Sequence, residues 1–227
     1  MISLALAALF FIAIHLGVSG SRIRDTLVAR LGLRGYMVVF SLGSVAGMIW
    51  LVSAYKAADY VPTWGMLEWW KPAMIVIMLP AFLLVVIGLT TPNPTAVAQE
   101  KLVTDKPKGI VGITRHPFLV GSALWAFTHV VGNGDWASLL MFGSLLVVAA
   151  AGTLSIDAKR RRVLGDAAWD VFARRTSIIP FAAVLAGRST VAWQELGWWR
   201  ILAGVVAYTL MLGGHAHIVG ISPWPSR

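Results

Sequence analysis

The chain has 227 residues, of which 58% are hydrophobic and 13% are charged, with a formal net charge of +9. Soluble domains average roughly 25% charged residues, so this composition excludes an ordinary soluble domain and indicates an integral membrane protein. Cysteine is absent, which excludes disulfides, thiolate metal sites, cysteine nucleophiles and cysteine-ligated iron–sulfur clusters. Any metal must therefore be bound by nitrogen or oxygen ligands. The length fits a single domain over residues 1–227.

Six uncharged stretches approach the roughly 20 residues that a helix needs to cross a bilayer. In chain order they are residues 1–21, 36–55, 72–91, 117–133, 136–156 and 201–222. The first has no basic residue before its apolar core and no clear cleavage site, so we expect it to remain as a helix and not to be removed as a signal peptide. The predicted fold is an all-α bundle of about six transmembrane helices.

Basic residues alternate in number between the successive predicted loops, as four, two, four, none and eight. The positive-inside rule places the lysine- and arginine-rich loops in the cytoplasm, so both termini are predicted to face outward. Lipid contact and topology explain the positive charge, because the basic residues are confined to the loops between apolar stretches. We therefore expect membrane lipid, and no nucleic acid, as a partner.

The most basic loop is predicted to continue the fifth span and then to form an amphipathic helix, over residues 157–175. One face of that helix carries Leu164, Ala168, Val171 and Phe172. The simplest interpretation is a helix on the membrane surface, and the alternative is a cover over a site between helices.

Two acidic residues stand at helix ends. Asp135, in the Asn-Gly-Asp sequence between the fourth and fifth spans, is predicted to shape a tight turn. Asp157, at the end of the fifth span, is expected to pair with Arg160 or Arg161 on the same helix.

Every histidine lies in an apolar stretch or at its edge: His15, His116, His129, His215 and His217. Ionisable groups at membrane depth are costly and usually have a partner or a ligand. Imidazole is the side chain that most often binds a metal, including a haem iron, so the pattern points to a membrane metal or haem site. For His15 and His129 the structural alternative is a hydrogen bond to a facing backbone carbonyl, and for His116 it is capping of the helix start or contact with a headgroup. His217 is expected to be structural.

Helical geometry limits which histidines can share one ligand. Along a helix, His116 and His129 differ by about 20 Å in height and about 220° in direction, so they cannot hold one metal. His215 and His217 point to nearly opposite faces, so at most one of them faces the bundle. A haem between two helices can take one imidazole from each helix.

Several segments, in the same order along the chain, resemble the NnrU-type membrane proteins, a family that includes 15-cis-zeta-carotene isomerase. These segments are His15, residues 30–36, 115–117, 124–129, 133–135 and 175–183, and His215. Residues 105–108 are also similar to the isomerases, whereas the turn at 133–135 looks like that of the bacterial members. The resemblance covers residues 5–222 and implies a location in a bacterial inner membrane.

The isomerase branch of this family carries haem b, which is held by two histidines. By the resemblance, His15 and His129 correspond to that pair and are the implied axial ligands. The resemblance also matches His116, His215 and Arg115 to residues of the family motifs. We therefore count them among the predicted cofactor-binding residues. The expected heights of His15 and His129 differ by roughly 10 Å, which a steeply inclined haem accommodates, and His129 with His215 is the alternative pair.

The implied activity is haem-dependent cis–trans isomerisation of an apolar polyene. Two alternatives stay open. One is a non-catalytic membrane accessory protein, since the family is named for a bacterial protein associated with denitrification and nitric oxide metabolism. The other is a membrane methyltransferase that uses S-adenosylmethionine, because the Arg-His-Pro motif at 115–117 followed by a basic helix is similar to that class. Residues 157–160 hold only one acid where that class has more, which weakens the second alternative.

Overall fold

The structure is a computed structural model that describes residues 1–96, 99–104 and 106–225. Within these ranges the chain is all-α, as predicted, and no strand is present. The helices are α1 Ile2–Ile12, α2 Arg22–Lys56, α3 Lys71–Thr90, α4 Ile110–Ile113, α5 Pro117–Asn133, α6 Trp136–Leu164, α7 Asp166–Arg175, α8 Ala182–Leu185 and α9 Trp198–Val219. Asp105, which contributed to the resemblance to the isomerases, lies outside the described residues.

Four helices are long and apolar enough to cross a membrane. They are Arg22–Lys56, Glu68–Thr90, Trp136–Leu164 and Trp198–Val219. The first helix continues through a π-helical segment as the shorter apolar helix Ile2–Val18, and α5 has 17 residues. Each predicted span therefore falls on a helix of a multi-helix membrane protein, and six crossings stay a prediction.

The chain divides into two compact units. The first comprises Met1–Leu67 and Ala126–Ser155, and the second comprises Glu68–Trp125 and Ile156–Arg227. His15 and His129 both belong to the first unit. His116, His215 and His217 belong to the second.

In the first unit, α1 packs against one face of α2. The buried residues of α2 include Gly47 and Leu51. A Cβ on Gly47 would come within 2.9 Å of the Phe10 ring, so glycine allows the two helices to approach closely here. Phe11 of α1 is also buried, and this contact joins the apolar α1 to the longer helix beside it.

A kink divides α2 at Gly32. Its φ of 70° and ψ of 162° lie in a region that essentially only glycine adopts, so the helix breaks between its basic first part and its apolar second part. The sequence predicts a loop over residues 22–35, and that prediction is wrong, because Ser21 caps a helix there by accepting a hydrogen bond from the Ile23 N–H.

The turn between α5 and α6 confirms the predicted role of Asp135. Its Oδ1 accepts a hydrogen bond from the Ser138 N–H at 2.9 Å, which caps the first turn of α6. Gly134 adopts a φ of 60°, and its carbonyl accepts from the N–H groups of Thr63 and Gly65. The turn thereby ties the α5–α6 connection to the segment that follows α2.

In the second unit, glycines bring α3 close to two other helices. A Cβ on Gly121 of α5 would lie 2.7 Å from the Ala81 carbonyl oxygen, and one on Gly204 of α9 would lie 2.9 Å from Leu83. Ala81 and Leu83 of α3 would have to move if a larger residue replaced Gly121 or Gly204. Small residues at such contacts are typical of helices that pack within membranes.

The predicted amphipathic helix is present as α7, and its buried face agrees with the prediction only in part, since Phe172 is buried and Leu164 packs against the same core. Trp169 and Phe172 are buried in a core with residues of α3 and α4, whereas Ala168 and Val171 are exposed. The predicted face assumes that one continuous helix runs through residue 165. Gly165 has a φ of 84° and interrupts the helix, so the phase starts again at Asp166.

Candidate functional site

His15 lies in the π-helical segment Ala13–Val18, directly after α1. Such segments are rare and occur frequently at functional sites. The Nδ1 of His15 is 2.8 Å from the carbonyl oxygen of Phe11. A carbonyl only accepts, so Nδ1 carries the proton, and a neutral imidazole then keeps its lone pair on Nε2. This bond is of the kind that orients metal-binding histidines.

Aromatic rings surround the imidazole of His15. The Phe11 ring is 4.1 Å away between centroids, and the Phe40 ring of α2 meets it edge-on at 5.4 Å. Phe40 in turn stacks on Tyr36 at 5.8 Å. Phe11 of α1 and the Phe40–Tyr36 pair of α2 therefore form the aromatic surroundings of His15.

His129, near the end of α5, also has an aromatic neighbour that fixes its ring plane. The rings of His129 and Phe142 of α6 stack at 4.7 Å with an interplanar angle of 24°. Phe142 meets the Tyr55 ring edge-on at 5.8 Å, and the Tyr55 hydroxyl is 3.0 Å from the hydroxyl of Ser138. The side chain of His129 is therefore held within a chain of contacts that links α5, α6 and α2.

The first unit offers a nitrogen ligand atom and a buried hydroxyl of the kinds that a haem binds. Among the described residues, no group of three or more His, Asp or Glu side chains could hold a metal ion. A haem needs only axial ligands from the protein, because the porphyrin supplies four nitrogens. His15 presents such a ligand atom, and the buried hydroxyl of Tyr36, whose ring stacks on Phe40, has no hydrogen-bond partner among the described residues.

A second constellation surrounds Arg115 and His116, immediately before α5 in the second unit. Asp157 of α6 accepts hydrogen bonds from Nε of Arg115 at 2.9 Å, from Nη2 of Arg115 at 2.5 Å and from Nε2 of His116 at 2.7 Å. His116 is only 2% exposed. Asp157 therefore joins the two predicted cofactor-binding residues to α6.

The predicted pairing of Asp157 with Arg160 or Arg161 is wrong. Arg160 pairs with Glu100, and Arg161 contacts the acidic residues of α7. The prediction considered neighbours one turn away on the same helix, whereas the actual partners of Asp157 lie about forty positions earlier in the sequence.

Burial has the largest effect on the pKa of His116 and lowers it below its ordinary value of 6.5. The hydrogen bond and charge of Asp157 raise this pKa, while the positive charge of Arg115 lowers it. Because burial prevails, His116 is neutral at pH 7 and donates its Nε2–H. The contact of His116 with Asp157 is thus a hydrogen bond, and Arg115 provides the ion pair.

Sequence reasoning missed the residues that hold the backbone of this constellation. The carbonyl oxygen of Arg115 accepts from Nδ2 of Asn93 at 3.1 Å and from the Thr95 hydroxyl at 2.7 Å. The Arg115 N–H donates to the carbonyl of Ser177 at 2.9 Å. The Asn-Pro pair at 93–94 was the available signal, because Asn side chains often bond to backbone groups in irregular segments.

The remaining histidines have simpler surroundings. Nδ1 of His215 is 2.7 Å from the Ile221 carbonyl oxygen, just beyond the end of α9, and His217 is exposed. The pairing of His129 with His215 stays a prediction.

A small apolar cavity lies in the second unit, between α3 and α5. Its volume is about 200 Å³, and its lining residues are Ala81, Phe82, Val85, Gly121, Ser122 and Trp125. Small-molecule sites commonly occupy about 300–1,000 Å³, so this cavity can take a short hydrocarbon segment but not a whole polyene.

These features define an all-α integral membrane protein with oriented imidazoles inside its apolar helices. The chain matches the NnrU protein family over residues 3–223 and belongs to that family.

The curated relatives that it matches are chloroplastic 15-cis-zeta-carotene isomerases. It is 34% identical to the Zea mays protein over 95 residues, which are 39% of this chain and 26% of that protein. It is 32% identical to the Arabidopsis thaliana protein over 98 residues, which are 40% of this chain and 26% of that protein. The matches thus span about a quarter of the length of these relatives. No solved structure matches the chain.

Proposed function

We propose that this protein is a haem-b-dependent cis–trans isomerase of a long polyene of the 15-cis-zeta-carotene type. The family and the identity with the two plant isomerases support the reaction class. The main structural support for a haem is the hydrogen bond from Nδ1 of His15 to the carbonyl oxygen of Phe11. This bond leaves Nε2 of His15 as a ligand atom inside an apolar helix.

His15 and His129 are the residues that would hold the haem iron. The Phe11 carbonyl sets the tautomer and the direction of the His15 ring, and the stacked Phe142 ring sets the plane of His129. When bound, the haem iron supplies one-electron chemistry that can lower the barrier to rotation about a conjugated double bond. Arg115, His116 and His215 lie in the other unit, where Arg115 and His116 hold Asp157.

The membrane delivers the proposed substrate. A long polyene is almost insoluble in water and partitions into the hydrocarbon core, where the apolar helices lie. The proposal places the protein in a bacterial inner membrane with both termini outward, so the lysine- and arginine-rich segments face the cytoplasm.

Conversion of 15-cis-zeta-carotene in cells that accumulate it tests the activity. We expect conversion only when this protein is present and only under reducing conditions, and we expect His15→Ala and His129→Ala to abolish it. His217→Ala is the matched control, because His217 is exposed and should leave conversion unchanged. Full haem loading without any conversion would exclude the isomerase.

A non-catalytic accessory role related to denitrification or nitric oxide metabolism is the second candidate. The observation in its favour is that the isomerases match only 39% and 40% of this chain, whereas the family match covers nearly all of it. An accessory protein without a cofactor should tolerate alanine at every histidine. The methyltransferase alternative gains no support, since Nε2 of His116 is engaged by Asp157.

A further inference from the structure

Among the described residues, the hydroxyls of Tyr36 and Ser44 on α2 have buried oxygen atoms without a hydrogen-bond partner. Native proteins seldom leave such groups unsatisfied, and an absent ligand is one explanation. Tyr36 is only 6% exposed. Positions 36, 40 and 44 share one helix face because they are four residues apart, and Phe40 between them contacts His15. The unsatisfied hydroxyls therefore lie on the face of α2 that meets His15.

A guanidinium lies over the ring of Tyr36. The Cζ of Arg24 lies 5.6 Å from the centroid of the Tyr36 ring. The side chain of Arg24 is 14% exposed, and its contact with Asp25 is long, at 3.3 Å, with a carboxylate that is 47% exposed. Ion pairs with exposed groups are weak, so Arg24 retains the capacity to bind a stronger anionic partner.

The kink at Gly32 creates this pair. Twelve residues of straight helix would separate positions 24 and 36 by about 18 Å, well beyond the reach of an arginine side chain. The positive φ of Gly32 turns the first part of α2 so that Arg24 reaches the Tyr36 ring. A Cβ on Gly32 would meet nothing within 4 Å, so the need for glycine comes from the backbone alone.

We propose that Arg24 and Tyr36 bind a carboxylate of the cofactor held by His15, namely a propionate of haem b. This inference rests on the proposed function. Guanidinium and phenol groups both donate hydrogen bonds, and charge-assisted bonds to a carboxylate are among the strongest in proteins. The propionate satisfies the buried phenol, while Gly32 is the positioning residue that brings the two donors together. An anionic lipid headgroup has the same chemistry and is distinguished below.

The test compares Tyr36→Phe and Arg24→Gln with the parent in haem affinity, haem midpoint potential and thermal stability of the haem-free protein. Each variant should bind haem about tenfold more weakly or worse, the usual effect of losing a hydrogen bond to a charged group. Each should also lower the midpoint potential, because a less compensated propionate charge disfavours the reduced haem. Gly32→Ala should reproduce the loss of affinity.

In the haem-free protein, Tyr36→Phe should not reduce thermal stability, although it weakens haem binding. Tyr36→Phe removes an unsatisfied hydroxyl, so the melting temperature should be unchanged or higher. The matched control is Tyr208→Phe, whose hydroxyl donates to the Ile75 carbonyl at 3.0 Å in the other unit. The control should lower the melting temperature and leave haem affinity and potential at the parental values.

Each remaining outcome contradicts the inference in a distinct way. A parent without haem overturns the proposed function together with the inference. Parental affinity and potential in Tyr36→Phe and Arg24→Gln overturn the inference alone. If these variants instead lose copurifying anionic phospholipid while haem affinity is unchanged, the anion is a lipid headgroup and the propionate assignment is wrong.

Discussion

Nδ1 of His15 donates to the carbonyl oxygen of Phe11 over 2.8 Å, within a stretch where α1 passes into a π-helical segment. One hydrogen bond thus decides which imidazole nitrogen carries the proton and which retains a lone pair. Hydropathy places His15 in an apolar helix, but only the local backbone shows that Nδ1 carries the proton and that Nε2 retains its lone pair. The bond therefore links the sequence of α1 to the cofactor chemistry that we propose.

Asp157→Asn should destabilise the protein strongly. The substitution leaves the largely buried guanidinium of Arg115 without its carboxylate, and breaking a buried pair in this way typically costs about 3–5 kcal/mol. Thermal unfolding in detergent measures the loss. Asp166→Asn is the control, because its carboxylate is 78% exposed and contacts an exposed Arg161, and it should unfold like the parent. Equal melting temperatures for both variants would refute the structural role of Asp157.

The buried His116 should make stability depend on pH. Burial lowers its pKa in the folded protein, whereas the unfolded chain titrates near 6.5. Between the lowered pKa and 6.5 the unfolded chain binds more protons, so stability is full above 6.5 and declines as pH falls below it. His116→Gln should flatten this part of the profile of unfolding free energy. A parental slope in that variant would show that another group is responsible.

Gly121→Ala should weaken the packing of α5 on α3. The added Cβ would lie 2.7 Å from the Ala81 carbonyl oxygen and 2.8 Å from Cγ2 of Val85. Forcing such a methyl group into a tight contact typically costs about 1–3 kcal/mol. Gly143→Ala in α6 provides the comparison, because nothing lies within 4 Å of its Cβ, and alanine favours the helix. Comparable changes in both variants would show that the close contact with Ala81 and Val85 has no particular effect on stability, contrary to the packing argument.

Single introduced cysteines can test the orientation, since the chain has none of its own. Thr63→Cys should react with an impermeant reagent from outside, and Ser189→Cys should not. Ser138, which also follows the predicted outer turn, is 0% exposed and bonded to Tyr55, so it is unsuitable as a probe. Reaction of Ser189→Cys in sealed, right-side-out vesicles would reverse the proposed topology.

The helical segments were predictable because a membrane leaves the backbone few options. Every backbone polar group in lipid must be satisfied within the segment, so a long apolar stretch becomes a helix. The predicted span at 117–133 coincides with α5, and the one beginning at 136 starts with α6. The turn at Asp135 also depends only on neighbouring residues, and for that reason the prediction of its role was correct.

Features that depend on tertiary contacts or on a single backbone angle were not predictable. Asp157 bonds to residues far away in the sequence, and no periodicity within α6 encodes such a partner. The sequence predicts a loop at 22–31 because three arginines and one aspartate interrupt its apolar residues. Gly165 shifted the buried face of α7, and Gly32 brought Arg24 to Tyr36, each through one positive φ. Sequence reasoning named His15 and His129, whereas the surrounding groups came only from the structure.

The absorption spectrum of the purified, reduced protein tests the central claim most directly. Two imidazoles on one haem iron predict a low-spin spectrum with sharp visible bands. His15→Ala and His129→Ala should each lose haem or become high-spin, while His217→Ala should match the parent. A parent that carries no haem, or alanine variants of His15 and His129 that both keep the parental spectrum, would contradict the account.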